Sequence, residues 1–151
     1  LAVVARGAAM ALGGAAASYA GIAVVRDARR ERVYLEITDN GGRPAEGPRL
    51  LALDDALAAI EGRGLFAFGS GVGVLEARAE RPIAGAVTMW PVPPPEAVDE
   101  PDARFLLDFA AGLPVSLEPA PLYLRPPDAK PAAPLAPFLA GTAATATNRD
   151  A

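Results

Sequence analysis

The chain has no cysteine and no histidine, and Lys130 is its only lysine. Without cysteine there is neither a disulfide nor thiol chemistry. Without histidine, Ser-His triads and imidazole acid–base catalysis are excluded, and the usual zinc ligand sets go with them. Ser70 and Ser116 then have no histidine base, and Lys130 is the only lysine that could stand in for one, so a peptidase or hydrolase is not expected. Basic charge is scarce as well. Lys and Arg total 14 against 18 Asp and Glu, so the net charge is −4 and the pI about 4.8. Dedicated nucleic-acid binders draw their affinity from neutralised phosphates and are normally basic, so direct nucleic-acid binding is not expected.

What is present fits one α/β domain with a tail. The chain has 151 residues, 52% of them hydrophobic, enough to bury a core. Residues 7–25 carry no charge, a length that matches a membrane span. Ala, Gly and Ser dominate that run, however, and Gly13-Gly14 interrupt it. A helix stopped by the glycines and followed by a buried strand explains the same residues. The expectation is no membrane segment and a cytoplasmic location, with a membrane tether through 7–25 as the alternative. Ser18-Tyr19-Ala20 is a poor signal-peptide cleavage site.

The pattern predicts a helix over Leu1–Leu12, with Leu1, Val4, Ala8 and Ala11 or Leu12 on one face. Gly21–Val25 reads as a buried strand. Val33, Leu35 and Ile37 alternate with Tyr34, Glu36 and Thr38, which predicts a strand with one wet face. Asp39-Asn40-Gly41-Gly42 is a turn. Asp54 is placed to cap a helix running to about Glu61, with Leu53, Ala56, Leu57 and Ile60 as its stripe and Gly62 as its end. Gly64–Phe68 is a third strand, Gly69–Gly73 a tight turn, and a short helix follows through Arg78. Ala84–Trp90 reads as a further strand, and Pro91–Pro95 as an extended linker. Asp99-Glu100-Pro101 opens a last helix whose Phe105, Leu106, Phe109 and Leu113 face the core. Leu122-Tyr123-Leu124 is a final strand or extended strip. Residues 131–151 have the composition of a disordered tail.

Few residues are candidates for chemistry. Gly69, Ser70 and Gly71 follow a strand and precede a helix, where backbone N–H groups can meet a phosphate. The full G-x-G-x-x-G spacing and a P-loop lysine are both missing, and a ligand-free tight turn explains the glycines. Arg26, Asp27, Arg29, Arg30, Glu31 and Arg32 form a charged corner between strands, with Arg29, Arg30 and Arg32 as candidates to face a partner. The plainer account is a solvated loop in which Asp27 hydrogen-bonds the turn backbone and pairs with a nearby arginine. The carboxylate pairs Asp54/Asp55 and Asp99/Glu100 sit at helix starts, where capping accounts for them. Trp90, beside Met89, reads as a core or edge aromatic. Tyr123 and Arg125 are placed to pin the last strip to the domain.

Asp27–Tyr34 and Pro121–Pro131, with the features ordered between them, resemble the second half of the bacterial TsaB family. Leu1–Ala8 is similar to the helix that opens that family's second lobe, and Phe68–Gly73 to its strand and Gly-Ser-Gly turn. The resemblance implies a ribonuclease-H-like, actin-like lobe over residues 1–130, a mixed sheet with flanking helices. It implies no catalytic residue, no metal and no cofactor. The implied role is that of a non-catalytic subunit in making threonylcarbamoyladenosine in tRNA. Its partners would be TsaD, which transfers the threonylcarbamoyl group, and the ATPase TsaE. The superfamily's glycoprotease label, peptidase family M22, finds no support in these residues. The family's first lobe carries an Asp-Thr strand and a Gly-Pro-Gly-Ser-Phe-Thr-Gly motif, neither of which occurs here, so the chain corresponds to the second lobe. The family's main TsaD contact uses helices of the first lobe. A lobe without its companion exposes sheet edge and apolar surface, so self-association is expected. The alternative is a phosphotransferase lobe that binds nucleotide at Gly69–Gly73.

Overall fold

The charge-free opening of the chain is split by its glycines. In the computed structural model, which describes residues 1–83, 86–87, 101–112 and 120–125, it forms helix α1 (Ala2–Leu12), a 3-10 segment (Gly13–Ser18) and strand β1 (Gly21–Asp27). Gly13 leaves the α-helix at φ 53°, a conformation that is costly for residues with a Cβ. Among the described residues no helix is long and apolar enough to cross a membrane.

Strands β2 (Arg32–Thr38) and β3 (Pro44–Ala52) follow. Helix α2 (Leu53–Ile60), strand β4 (Leu65–Phe68), helix α3 (Val72–Ala79) and strand β5 (Ala86–Val87) come next, and helix α4 (Ala103–Ala110) packs against α1. The sheet order is β3-β2-β1-β4-β5. β1, β2 and β3 are antiparallel, whereas β4 runs parallel to β1 and β5 parallel to β4. Three antiparallel strands followed by two parallel ones make the mixed sheet of a ribonuclease-H-like lobe, the α/β class expected from the sequence.

Strand periodicity assigns the two faces. Ala23 and Val25 of β1, Val33, Leu35 and Ile37 of β2, and Leu65 and Ala67 of β4 pack with Leu53, Ala56 and Ile60 of α2 and with Val72 and Leu75 of α3. The intervening Ile22, Val24, Phe66 and Phe68 pack under Val4, Ala5, Ala8 and Ala9 of α1. The small side chains of α1 let it lie close to the sheet. Each fully buried Ile, Leu or Val contributes about 1.5–3 kcal/mol.

Several expectations need correction. The expected wet face of β2 is dry at one end only: Glu36 and Thr38 are 3% and 1% exposed where α1 packs on the strand, while Tyr34 is half-buried and Arg32 exposed. Asp54 does not cap α2. The N-cap is Ala52, and Asp54 instead takes Nε and Nη2 of Arg78, each at 2.8 Å, tying α2 to α3. The last helix is capped by Asp102, whose carboxylate accepts from the Arg104 N–H at 2.8 Å. None of its residues is buried. Phe105 and Phe109 are half-buried, while Leu106 and Leu107 are 50% and 74% exposed. Phe105 lies over Gly7 of α1, so α4 docks on a helix and does not enter the core. Strand β3 was not expected, since Pro44, Gly47 and Pro48 interrupt it. It sits at the sheet edge, where proline is tolerated. The remainder of the expected strand at 84–90, the linker at 91–95, Trp90, Met89, Asp99, Glu100, Leu113, Ser116 and everything from 126 onward lie outside the described residues.

Candidate functional site

The parallel strands β1 and β4 end side by side, the place where open α/β sheets usually hold their sites. The end of β1 runs into the arginine corner, and the end of β4 runs into the glycine turn. The two sequence candidates therefore meet, and the Asp27 N–H donates to Ser70 Oγ at 3.2 Å.

The glycine turn is shaped by β1. Gly69 has φ 113°, and a Cβ there would overlap the Val25 carbonyl oxygen. A Cβ on Gly71 would come within 2.7 Å of Val25 Cγ1 and 3.1 Å of the Asp27 nitrogen. The Gly71 N–H donates to the Val25 carbonyl and the Val72 N–H to the Gly69 carbonyl, both at 3.0 Å. Two amides that a phosphate would need are thus engaged inside the protein. Close approach of two backbones accounts for these glycines.

The corner is unusual in its backbone. Arg29, Arg30 and Glu31 have φ of 63°, 54° and 56°, three successive side-chain-bearing residues in the left-handed region. Each costs about 1–2 kcal/mol there. The tip is held by the Ala28 N–H donating to the Arg32 carbonyl at 3.0 Å. The Asp27 carboxylate accepts from the Arg29 N–H at 2.8 Å, and Arg29 Nε lies 3.7 Å from its second oxygen. Asp27 does hydrogen-bond the turn and pair with an arginine, as the plainer account requires. The Arg29 side chain is nevertheless 86% exposed, and Arg30 and Arg32 are exposed beside it.

Behind the corner lies an open groove of about 530 Å³ on the α1 side of the sheet. Arg26 and Tyr34, direct partners in the β1–β2 register, form its floor. Leu1 closes one side and Leu122–Arg125 the other. The two stretches that carry the family resemblance, nearly ninety positions apart in the chain, thus meet in one groove. Tyr123 does not pin the strip by burial, because it is 79% exposed. Arg125 is half-buried. Leu122–Leu124 lies outside the five-stranded sheet, and the chain bends at Leu124 and Arg125. Tyr34 and Leu122 were expected as strand residues and not as lining of a site. The signal for Tyr34 is its position opposite Arg26, which needs the strand register to be seen.

Titration of the described carboxylates has local causes. Burial pushes the Glu36 carboxyl above its ordinary value, opposed by the Leu1 amine 3.6 Å away and by the Ala2 N–H at the start of α1. The Arg63 guanidinium holds Glu46 low, helped by Arg49. Arg78 does the same for Asp54, and Arg104 for Asp102. Glu46, Asp54, Asp102 and their arginines do not line the groove, whereas Leu1, the partner of Glu36, does. Among the described residues there is no cluster of three or more acidic side chains able to hold a metal.

No family model and no curated protein matches the chain. It is similar to a solved structure from Pseudomonas aeruginosa, an uncharacterized protein with similarity to the peptidase YeaZ. The two share 28% sequence identity at a TM-score of 0.48, over 81% of this chain and 56% of that one. The chain thus spans little more than half the length of that protein. The fold assignment above comes from strand order and direction, independently of that overlay.

Proposed function

We propose that this chain is the second lobe of a TsaB-type subunit, a non-catalytic scaffold in the synthesis of threonylcarbamoyladenosine in tRNA, with TsaD as its partner and TsaE joining the pair. The observation that carries the reading is the groove. Asp27 and Tyr34, the two ends of one stretch that carries the resemblance to TsaB, and Leu122–Arg125 of the other line it together. The engaged amides of the glycine turn favour this reading over a nucleotide-binding lobe. Chemistry on the tRNA would then belong to TsaD, and this lobe would supply rigid surface.

The test is reconstitution. Purified TsaD and TsaE are assayed for threonylcarbamoyladenosine formation with the chain alone, and with the chain joined to a TsaB first lobe. The joined protein is expected to support synthesis, and neither form is expected to turn over substrate by itself. A joined protein that folds but supports no synthesis refutes the reading, as does turnover by the isolated chain.

A further inference from the structure

An open pocket of about 450 Å³ lies where α1, the β2–β3 turn and α4 meet, within the size range of small-molecule sites. Close approaches bring its walls together. Gly42, at φ 81°, lets the turn lie so near α1 that a Cβ on it would be 2.6 Å from Arg6 Cα. Gly7 does the same for α4, whose Phe105 ring is 3.1 Å from where a Cβ on Gly7 would be. Phe109, one helical turn beyond Phe105, lines the pocket from the same helix face. Both signs of charge border the opening. Arg6 donates from Nη1 to the Gly41 carbonyl at 2.7 Å, which orients the guanidinium and leaves its other N–H groups available. The Asp39 carboxylate takes the Gly41 and Arg43 N–H groups at 2.9 and 2.8 Å, so the backbone under Arg43 is held as well. Elsewhere on this chain exposed opposite charges close on each other, as Arg78 does on Asp54 and as Arg49 and Arg63 do on Glu46. Here they do not. The Arg43 and Asp108 side chains form no hydrogen bond or ion pair with any described residue, and neither arginine pairs with Asp108.

We propose that this pocket binds a free α-amino acid with an apolar side chain. Its carboxylate meets Arg6 and Arg43, whose planar forks suit it. Its ammonium meets Asp108, and its side chain lies against Phe109 and Pro44. Recognition needs one group of each sign, set apart around the opening, and no surplus of either. A simple anion or a peptide C-terminus would offer the carboxylate without the adjacent ammonium and leave Asp108 unused. The residues of this pocket are separate from those of the groove, so the site stands or falls apart from the scaffold reading.

The experiment is an NMR titration of the nitrogen-labelled chain, read at the amides of Gly42 and Gly112. The ligands are L-phenylalanine, N-acetylphenylalanine, phenylalaninamide and glycine. Phenylalanine is expected to bind at least about tenfold more tightly than the acetylated compound, which lacks the charge for Asp108, and than the amide, which lacks the carboxylate. Glycine, which lacks the apolar side chain, is expected to bind severalfold more weakly. Arg43→Ala is expected to weaken phenylalanine about tenfold and leave phenylalaninamide unchanged, while Asp108→Asn weakens phenylalanine about as much and leaves N-acetylphenylalanine unchanged. No shift at millimolar phenylalanine, equal binding of any control compound, or indifference to both substitutions each overturns the proposal. Should either variant melt early, the four compounds on the parent chain decide alone.

Discussion

Replacing Gly69 with alanine tests whether the glycine turn is architecture. At φ 113° a residue with a Cβ is strained by about 1–3 kcal/mol. The new methyl also overlaps the Val25 carbonyl oxygen, and that oxygen is fixed because it accepts from the Gly71 N–H at 3.0 Å. Relieving the overlap shifts buried backbone, at about 1–3 kcal/mol. Alanine's smaller unfolded-state entropy returns about 0.4–1 kcal/mol. The net loss is about 1–6 kcal/mol, a large share of a domain's stability. At about 4 °C per kcal/mol, Tm should fall by roughly 4–22 °C. Gly73, which lies in α3 and has no positive φ, gives the opposite sign: Gly73→Ala gains up to about 1 kcal/mol from helix propensity. Circular dichroism melts and urea midpoints read both. A Gly69→Ala protein that melts within about 2 °C of the parent, or a Gly73→Ala protein that loses as much as Gly69→Ala, refutes the assignment of these glycines to backbone packing.

Glu31→Gly should stabilise the chain by about 1 kcal/mol through release of left-handed strain at φ 56°, a gain of a few degrees in Tm; a loss would mean the side chain holds the hairpin. Glu36 gives a pH signature. Its carboxyl is raised by burial, so the folded state holds the proton more tightly than the unfolded one. That stabilisation is complete below the unfolded value and is lost as pH rises through the folded one. Glu36→Gln should therefore melt higher than the parent at neutral pH, with the difference shrinking below pH 4.5; a pH-independent difference contradicts the burial argument. ADP or ATP should leave Tm unchanged, because a ligand that binds the folded state raises it; a dose-dependent rise would restore the nucleotide-binding alternative. With Met10, Leu106, Leu107, Leu122 and Tyr123 at least half exposed, the isolated chain should self-associate; light scattering that gives a monomer across a wide concentration range would oppose this.

The residues that carried the strongest local signals reappear as expected. Gly13 ends α1, Asp39 takes the N–H groups of Gly41 and Arg43 at 2.9 and 2.8 Å in its turn, and Leu53, Ala56 and Ile60 bury the α2 stripe. These are short-range matters of backbone freedom and periodicity. Elements whose status depends on a distant neighbour were misread. The Glu36–Thr38 end of the wet face of β2 is dry because α1, which precedes it by some twenty residues, packs on it. Pro44–Ala52 is a strand because an edge position excuses its prolines. Asp54 was assigned to its own helix because Arg78, on another, is invisible at that range.

The candidate site divides in the same way. That the corner is arginine-rich, that the turn is glycine-rich, and that no histidine or cysteine chemistry is possible are properties of composition and order, and the sequence alone determined them. That Asp27 meets Ser70, that Arg26 faces Tyr34, and that Leu122–Arg125 closes a groove over both depend on strand register and on parallel strands ending together. The run of left-handed residues at Arg29–Glu31 belongs there too, since no glycine or asparagine marks it. Side-chain chemistry is carried by each residue wherever it goes. Proximity is a property of the packed sheet, and only the tertiary structure decided it.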